Sequence, residues 1–421
     1  MTKVELEPTF VLCLALCAVP PSMSPFRRPA FLAVLLGHFA VDLLNSQTGV
    51  LLATLSGPLA LTNADIGLTA TLFGLSGAAA QPVFGWLSDR RPGRWAAAGA
   101  VIGMAGMFAL FLGTPGRFAL LFLILASICS AAFHPAGADL GARGGGAGPA
   151  MAGLASLFFL FGQIGLSIGP ALSGYLIEHW GWMALYGPVI VVALVGVAGL
   201  TMIPSSRALA ARPVTRTAAP PGPIVWRALL LAVLIGGLRV WAQTTVGNLG
   251  PKYFHDLGLS PSTYGAIVGV FMLGIALGGI LGGWLADRIG GRAMTIATLA
   301  LSVPALFWLP VVTGPAIYAV ALLAGVLNGG PHSLLVVIAQ RAMPGRGSLA
   351  SGLALGSMFA ISSSGVWLSG LVADQVGLGF AVQAGAGLDA AAALLALALP
   401  FASASRPTTD ADTNLGPVRS S

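Results

Sequence analysis

His38 and Asp42 stand four residues apart in the 421-residue chain, a spacing that sets an imidazole and a carboxylate on one face of a helix, about one turn from each other. Histidine titrates nearest neutral pH, so an imidazole held beside a carboxylate is suited to taking up and releasing protons. A simpler reading gives Asp42 only the task of neutralising His38 or Arg239. Arg239 is always charged and offers a planar fork that fits carboxylate or phosphonate oxygens; it is either an anion-binding residue or the structural partner of Asp42. His134 precedes Pro135 and His332 follows Pro331. Proline leaves main-chain carbonyls unpaired, so these two histidines either serve a transport site or bond to such carbonyls. His134 joins His38 and Asp42 as a proton-coupling candidate. His332 joins Arg239, Asn45, Gln243, Asn248 and Asn328 as candidates for substrate binding. Asp389 has no evident partner.

The setting gives these residues their weight. Charged residues make up 8% of the chain, against roughly 25% in ordinary globular domains, while 56% is apolar and the mean hydropathy is +0.90. This is the composition of a membrane protein. An ionisable group inside a bilayer costs roughly 2.5–3.5 kcal/mol on insertion scales, so each one retained there is a functional candidate. Spanning helices need about 20 apolar residues, and twelve such segments are expected near 30–55, 64–88, 95–113, 117–139, 150–174, 182–203, 226–250, 262–286, 293–312, 315–339, 348–372 and 379–401. Residues 204–225, with Arg207, Arg212, Arg216 and four prolines between Pro213 and Pro223, read as a linker between two six-helix halves, 29–203 and 226–401. Residues 402–421 form a tail. Residues 1–28 read as an N-terminal extension, because the apolar stretch from Phe10 to Val19 is too short to span and a start at Met23 would remove it. His38, Asp42, Asn45 and Gln47 fall in the first segment, His134 in the fourth, Arg239, Gln243 and Asn248 in the seventh, and Asn328 and His332 in the tenth. These are equivalent positions if each half repeats three helices, and they should line one cavity.

Lysine and arginine are distributed by side. One set of loops and ends holds Arg27, Arg28, Arg90, Arg91, Arg94, Arg143, Arg207, Arg212, Arg216, Arg227, Arg288, Arg292, Arg341, Arg346, Arg406 and Arg419, and the other set holds Arg117 and Lys252. The positive-inside rule then places both termini in the cytoplasm and the chain in an inner membrane as a multi-pass protein. The net charge of +7 is topology information, and nucleic acid is not an expected partner. Cys13, Cys17 and Cys129 make neither a disulfide framework nor a metal-ligand spacing. No metal and no cofactor is expected. No phosphate-binding G-x-x-x-x-G-K-[ST] run occurs, so ATP does not drive the chain directly. Gly165-Leu166-Ser167-Ile168-Gly169 fits G-x-S-x-G but lacks the preceding strand of a nucleophile elbow, and Gly74-Leu75-Ser76-Gly77 is a looser match; no enzyme activity is assigned.

The chain also repeats itself. Gly85-Trp86-Leu87-Ser88-Asp89-Arg90-Arg91-Pro92-Gly93-Arg94 returns as Gly283-Trp284-Leu285-Ala286-Asp287-Arg288-Ile289-Gly290-Gly291-Arg292, and the register that carries 85 to 283 carries His134 to His332. Gly85, Asp89, Arg90, Arg94, Asp287, Arg288 and Arg292 read as a conformational latch: charge contacts at the membrane surface that form in one state and break in the other. Gly274, Gly278 and Gly282, four apart, allow close helix packing, as do Gly279 and Gly283. Gly165, Gly169, Pro170 and Gly174 read as a kink in the fifth segment.

Twelve spans with this loop and its repeat after spans 2 and 8 resemble the major facilitator superfamily over about residues 27–402. Gly37-His38-Phe39-Ala40-Val41-Asp42, Phe133-His134-Pro135-Ala136-Gly137, Phe161-Gly162-Gln163-Ile164-Gly165 and Arg239-Val240-Trp241 are similar to stretches of the fosmidomycin resistance family within it. The resemblance implies an all-α membrane protein with two pseudo-symmetric six-helix halves, a cavity lined by spans 1, 4, 7 and 10, and alternating access. It further implies proton-coupled efflux of a small drug-like or anionic compound. The expected partners are therefore the lipid bilayer, protons and a small-molecule substrate, with the chain acting as a monomer. Proton-coupled uptake of a small organic acid is the alternative within transport, and a non-transporting receptor or scaffold is the alternative outside it.

Overall fold

The computed structural model describes residues 29–90, 94–144, 149–205 and 222–400. An apolar segment in lipid must satisfy its own backbone hydrogen bonds, and for a chain without a closed sheet that leaves the helix. Among the described residues twelve helical stretches are long and apolar enough to cross a membrane. They are span 1 (Pro29–Leu55), 2 (Asn63–Ser88), 3 (Arg94–Gly113), 4 (Ala119–Gly141), 5 (Ser156–Trp180), 6 (Trp182–Met202), 7 (Trp226–Asp256), 8 (Pro261–Ile289), 9 (Gly291–Trp308), 10 (Ala316–Ala342), 11 (Leu349–Val376) and 12 (Leu378–Ala396). The extension 1–28, the tail 402–421 and the linker apart from its ends lie outside the described residues, as do Arg91 and the side chains of Asp89 and Arg143.

Three of the four expected cavity spans are interrupted helices. Span 1 divides into Pro29–Asn45 and Thr48–Leu55, span 7 into Trp226–Asn248 and Gly250–Asp256, and span 10 into Ala316–Gly329 and His332–Ala342. The last break falls at Gly330-Pro331, where proline has no N–H to continue the ladder. Proline is not sufficient for a break. The helices Ala119–Gly144 and Pro149–Trp180 run on through Pro135 and Pro170. In span 5 the glycines admit neighbouring backbones: a Cβ at Gly165 would lie 2.4 Å from the Phe39 carbonyl oxygen, one at Gly169 2.3 Å from that of Leu43, and one at Gly174 2.0 Å from that of Pro261. The first two contacts hold span 5 against span 1, and the third holds it against span 8.

The row Gly274, Gly278 and Gly282 packs span 8 on span 10 inside the second half, each position lying 2.1–2.5 Å from a carbonyl oxygen of Leu322, Val326 or Gly330 if a Cβ is added. A different face of span 8 meets the first half. Gly265 and Gly269 lie against the Pro170 and Ser167 carbonyls of span 5, yet Gly279 and Gly283, farther along that face, have nothing within 4 Å. The pairing of spans 2 and 11 behaves alike. Gly67 meets the Val366 carbonyl, Gly74 meets Ser363, and Gly370 meets the Asn63 carbonyl, while Gly352 and Gly356 on the same face of span 11 meet nothing. The two halves therefore close on each other at the arginine-poor end and part toward the arginine-rich end.

Two carboxylates fasten the closed end in matching places. Asp374, at the end of span 11, accepts from the main-chain N–H groups of Asn63 (2.9 Å) and Ala64 (3.0 Å), which begin span 2. Glu178, at the end of span 5, accepts from the N–H of Ser262 (2.9 Å), which begins span 8. Each carboxylate meets the positive end of a helix dipole and pairs donors that the helix cannot. Thr54 and the Tyr264 hydroxyl join the halves beside them at 2.9 Å. Span 5 continues to Trp180, beyond the boundary expected at residue 174, and so carries Glu178 to this contact.

Candidate functional site

In the first half, Asp42 is the hub. His38 Nε2 lies 3.2 Å from Asp42 Oδ2 and His134 Nε2 lies 3.4 Å from Asp42 Oδ1, so spans 1 and 4 bring two imidazoles onto one carboxylate. The other nitrogen of each ring is held by main chain: His38 Nδ1 donates to the Phe158 carbonyl and His134 Nδ1 to the Ser130 carbonyl, both at 2.8 Å. Carbonyl oxygens only accept, so both rings carry their Nδ1 proton and present Nε2 to Asp42. Asn45 completes the group, donating to Asp42 Oδ1 at 3.1 Å and to the Ser130 hydroxyl at 2.8 Å. Asn45, a substrate-binding candidate by sequence, therefore stands beside Asp42, His38 and His134 and away from Arg239.

His38 is packed tightly. Its ring stacks on Phe158 with centroids 4.0 Å apart, and a Cβ at Gly162 would lie 2.6 Å from its Nε2. His38 and Asp42 are buried, whereas the His134 side chain is 30% exposed. His134 is thus the most exposed member of the triad.

The second half builds its cluster around a cation. Arg239 is 1% exposed; Nη1 donates to the Asn328 carbonyl at 2.9 Å, and Nη2 donates to Gln243 Oε1 at 3.0 Å and to His332 Nδ1 at 3.3 Å. Gln243 and His332, both partly exposed, cover Nη2 of the buried guanidinium. An anion reaching Arg239 would replace them at Nη2. Among the described residues Arg239 makes no ion pair with Asp42, and its guanidinium bonds Asn328, Gln243 and His332. Asn248 stands apart. It donates to the Thr244 carbonyl of its own helix at 2.9 Å and lies against Gly49 near the closed end.

The two clusters occupy equivalent positions. Under the repeat, Asn45 corresponds to Gln243, Ser130 to Asn328 and His134 to His332. Ser130 was not singled out from the sequence, although it precedes His134 by four as Asn328 precedes His332. Phe158 carried no signal beyond its type, and Gly162 stood out only as part of the Phe161–Gly165 stretch.

The loop residues engage their own halves. The Arg90 guanidinium lies 3.8 Å from the Trp86 ring centroid and that of Arg288 lies 3.6 Å from Trp284, both stacked as cation–π pairs. Arg94 donates to the Leu200 carbonyl at 3.0 Å, Gly85 lies against Pro135, and Asp287 is exposed. Arg292 is partly exposed. The described latch contacts stay within a half, as expected at the end where the halves have parted.

The Major Facilitator Superfamily profile matches residues 34–253 and 232–420. The chain is 26% identical over 364 residues to the fosmidomycin resistance protein of Escherichia coli, covering 82% of this chain and 86% of that protein. It is also 26% identical over 363 residues to the uncharacterized MFS-type transporter YfnC of Bacillus subtilis, covering 83% and 88%. Among solved structures, the nucleoside transporter NupG superposes with a TM-score of 0.65 at 16% identity over 88% of this chain and 98% of its own. A bacterial homologue of the human lysosomal transporter Spinster, in an inward-facing and occupied conformation, gives 0.70 at 15% identity over 89% and 96%. The fold, the repeat and these matches agree: the chain is a twelve-span membrane transporter belonging to the Major Facilitator Superfamily.

Proposed function

We propose that the protein exports a small anionic or amphipathic compound across a bacterial inner membrane in exchange for protons. The observation that carries this reading is the opposition of the two clusters, an acid holding two imidazoles in the first half and a guanidinium behind Gln243 and His332 in the second. Protons would be handled at Asp42, His38 and His134, and an anionic group at Arg239, Gln243 and His332. With the arginine-rich end in the cytoplasm, both termini are cytoplasmic and the cavity opens inward, the state in which an exporter loads its cargo. The relationship to a fosmidomycin resistance protein nominates a phosphonate as the first compound to try. Labelled fosmidomycin should accumulate less in cells lacking their own pumps when this protein is present, and an uncoupler should reverse the difference. Greater accumulation would mean uptake, and no difference with the protein in the membrane would remove this substrate.

Alternating access requires the closed end to open. The Glu178 and Asp374 contacts must break in that step, so they set part of the balance between states. A carboxylate at an exposed helix N-terminus contributes about 0.3–1 kcal/mol. The double substitution Glu178→Ala and Asp374→Ala should therefore move the population roughly 3- to 30-fold toward the state open at the arginine-poor end. Electron-electron distances between spin labels on spans 2 and 11 at that end would report it, and an unchanged distribution would remove the carboxylates from the gate.

A further inference from the structure

We propose that Asp389 is the positioning residue of Arg239, acting through Asn328. Asp389 is 0% exposed on span 12, and both of its oxygens accept from Asn328 Nδ2, at 3.1 and 2.9 Å. The Ser302 hydroxyl of span 9 bonds Oδ2 as well. On its other side, Asn328 presents its carbonyl oxygen to Arg239 Nη1 at 2.9 Å and its Oδ1 to the same nitrogen at 3.4 Å, while Nδ2 also donates to the Arg239 carbonyl at 3.2 Å. The amide can sit only this way round. Turned over, it would set its NH₂ against a guanidinium and its oxygen against a carboxylate. Acid, amide and cation thus form one polarised row across spans 12, 10 and 7.

The row answers a problem of charge. A guanidinium keeps its proton, and a buried cation without a counter-charge is strongly unfavourable. Arg239 touches no carboxylate directly, and its Nε has no partner. Asp389 supplies the negative charge one amide away, and the rigidity of that amide fixes where the fork ends, behind Gln243 and His332. Among the described residues the first half has no such row. Under the repeat, Val191 stands where Asp389 does and Ser130 where Asn328 does, because Asp42 lies directly on its imidazoles there. Asp389 therefore never meets substrate, and its effect on recognition passes through Arg239.

The test is a double-mutant cycle with Asp389→Asn, Arg239→Gln and the pair, read two ways. Thermal unfolding of the purified protein without substrate requires no assumption about cargo. Each single change should lower Tm, and the pair should lose less than the two losses together, since removing both charges leaves neither unpaired. Additive losses would overturn the proposal. The second readout rests on the export reading and uses labelled fosmidomycin. Asp389→Asn should raise KM, and weaken binding to purified protein, by roughly tenfold with kcat spared, and the change should vanish in the Arg239→Gln background. An equal loss of binding in both backgrounds, or a fall in kcat alone, would overturn it. If fosmidomycin is not moved at all, the export reading fails and the unfolding cycle decides this one. Should Asp389→Asn fail to assemble, Ser302→Ala removes one bond to the carboxylate and keeps both charges; it should raise KM and lower Tm in the same direction by less, and no change in either would count against the row.

Discussion

Asp42→Asn should abolish transport driven by a pH gradient while leaving exchange of substrate for substrate intact. Asparagine keeps the shape of the carboxylate between His38, His134 and Asn45, so the protein should still reach the membrane and fold. What it removes is the negative charge that two Nε2 atoms face at 3.2 and 3.4 Å. A charge pair near 4 Å is worth about 4 kcal/mol at an effective dielectric near 20, so losing it should lower proton-driven flux by at least roughly a hundredfold. Exchange at equal pH on both sides carries no net proton and needs only that the halves rock with cargo bound. Reconstituted vesicles separate the two. Driven flux at the wild-type rate would remove Asp42 as a proton carrier. Loss of both modes would give Asp42 a structural task and favour the simpler reading, in which it only neutralises its histidines.

The parts of this molecule that composition controls were legible before any coordinates. Long apolar segments must become helices in lipid, and the repeat from residue 85 to 283 carries the two-half architecture with it. The His38–Asp42 pair was legible because four residues along one helix is a local geometry. Asp389 was not, because its partner lies on span 10 and the cation it serves lies 150 residues earlier in the chain. Only the packing of spans 7, 9, 10 and 12 brings Arg239, Ser302, Asn328 and Asp389 together. The place of Asn45 beside Asp42 was hidden for a related reason. Its position on span 1 fits either cluster, and the Ser130 hydroxyl that draws it to Asp42 comes from another helix. The glycines were read as packing residues from their spacing, but spacing cannot tell a contact inside one half from a contact between halves. Gly279 and Gly283 occupy no contact in this state, and a sequence that encodes two states does not say which glycines touch in each.

That distinction has a measurable consequence in a pair of substitutions on span 8. A Cβ at Gly265 would lie 2.3 Å from the Pro170 carbonyl oxygen, across the boundary between halves, and one at Gly274 would lie 2.5 Å from the Leu322 carbonyl oxygen, inside the second half. Carbon–oxygen contacts ordinarily fall at about 3.3–3.6 Å, so each valine must push a main chain back by about 1 Å. Backbone cannot give way as a side-chain tip does. For Gly265→Val the cheapest relief is for the halves to part, which is the motion that the proposed alternating access requires. Transport should fall at least roughly tenfold, equivalent to about 1.4 kcal/mol against the closed end, with the folded protein intact. A single cysteine at Thr54, which lies beside Tyr264 at that end, should become more accessible to a membrane-impermeant thiol reagent in a background freed of Cys13, Cys17 and Cys129. For Gly274→Val no such relief is at hand, because spans 8 and 10 pack closely within one half. The strain stays in the bundle, where overpacking costs about 1–3 kcal/mol, and should appear as a lower unfolding temperature and yield without a change in Thr54→Cys labelling. Equal losses of thermal stability in the two variants, or normal turnover by Gly265→Val, would mean that the Gly265 contact is ordinary helix packing and that the halves part elsewhere.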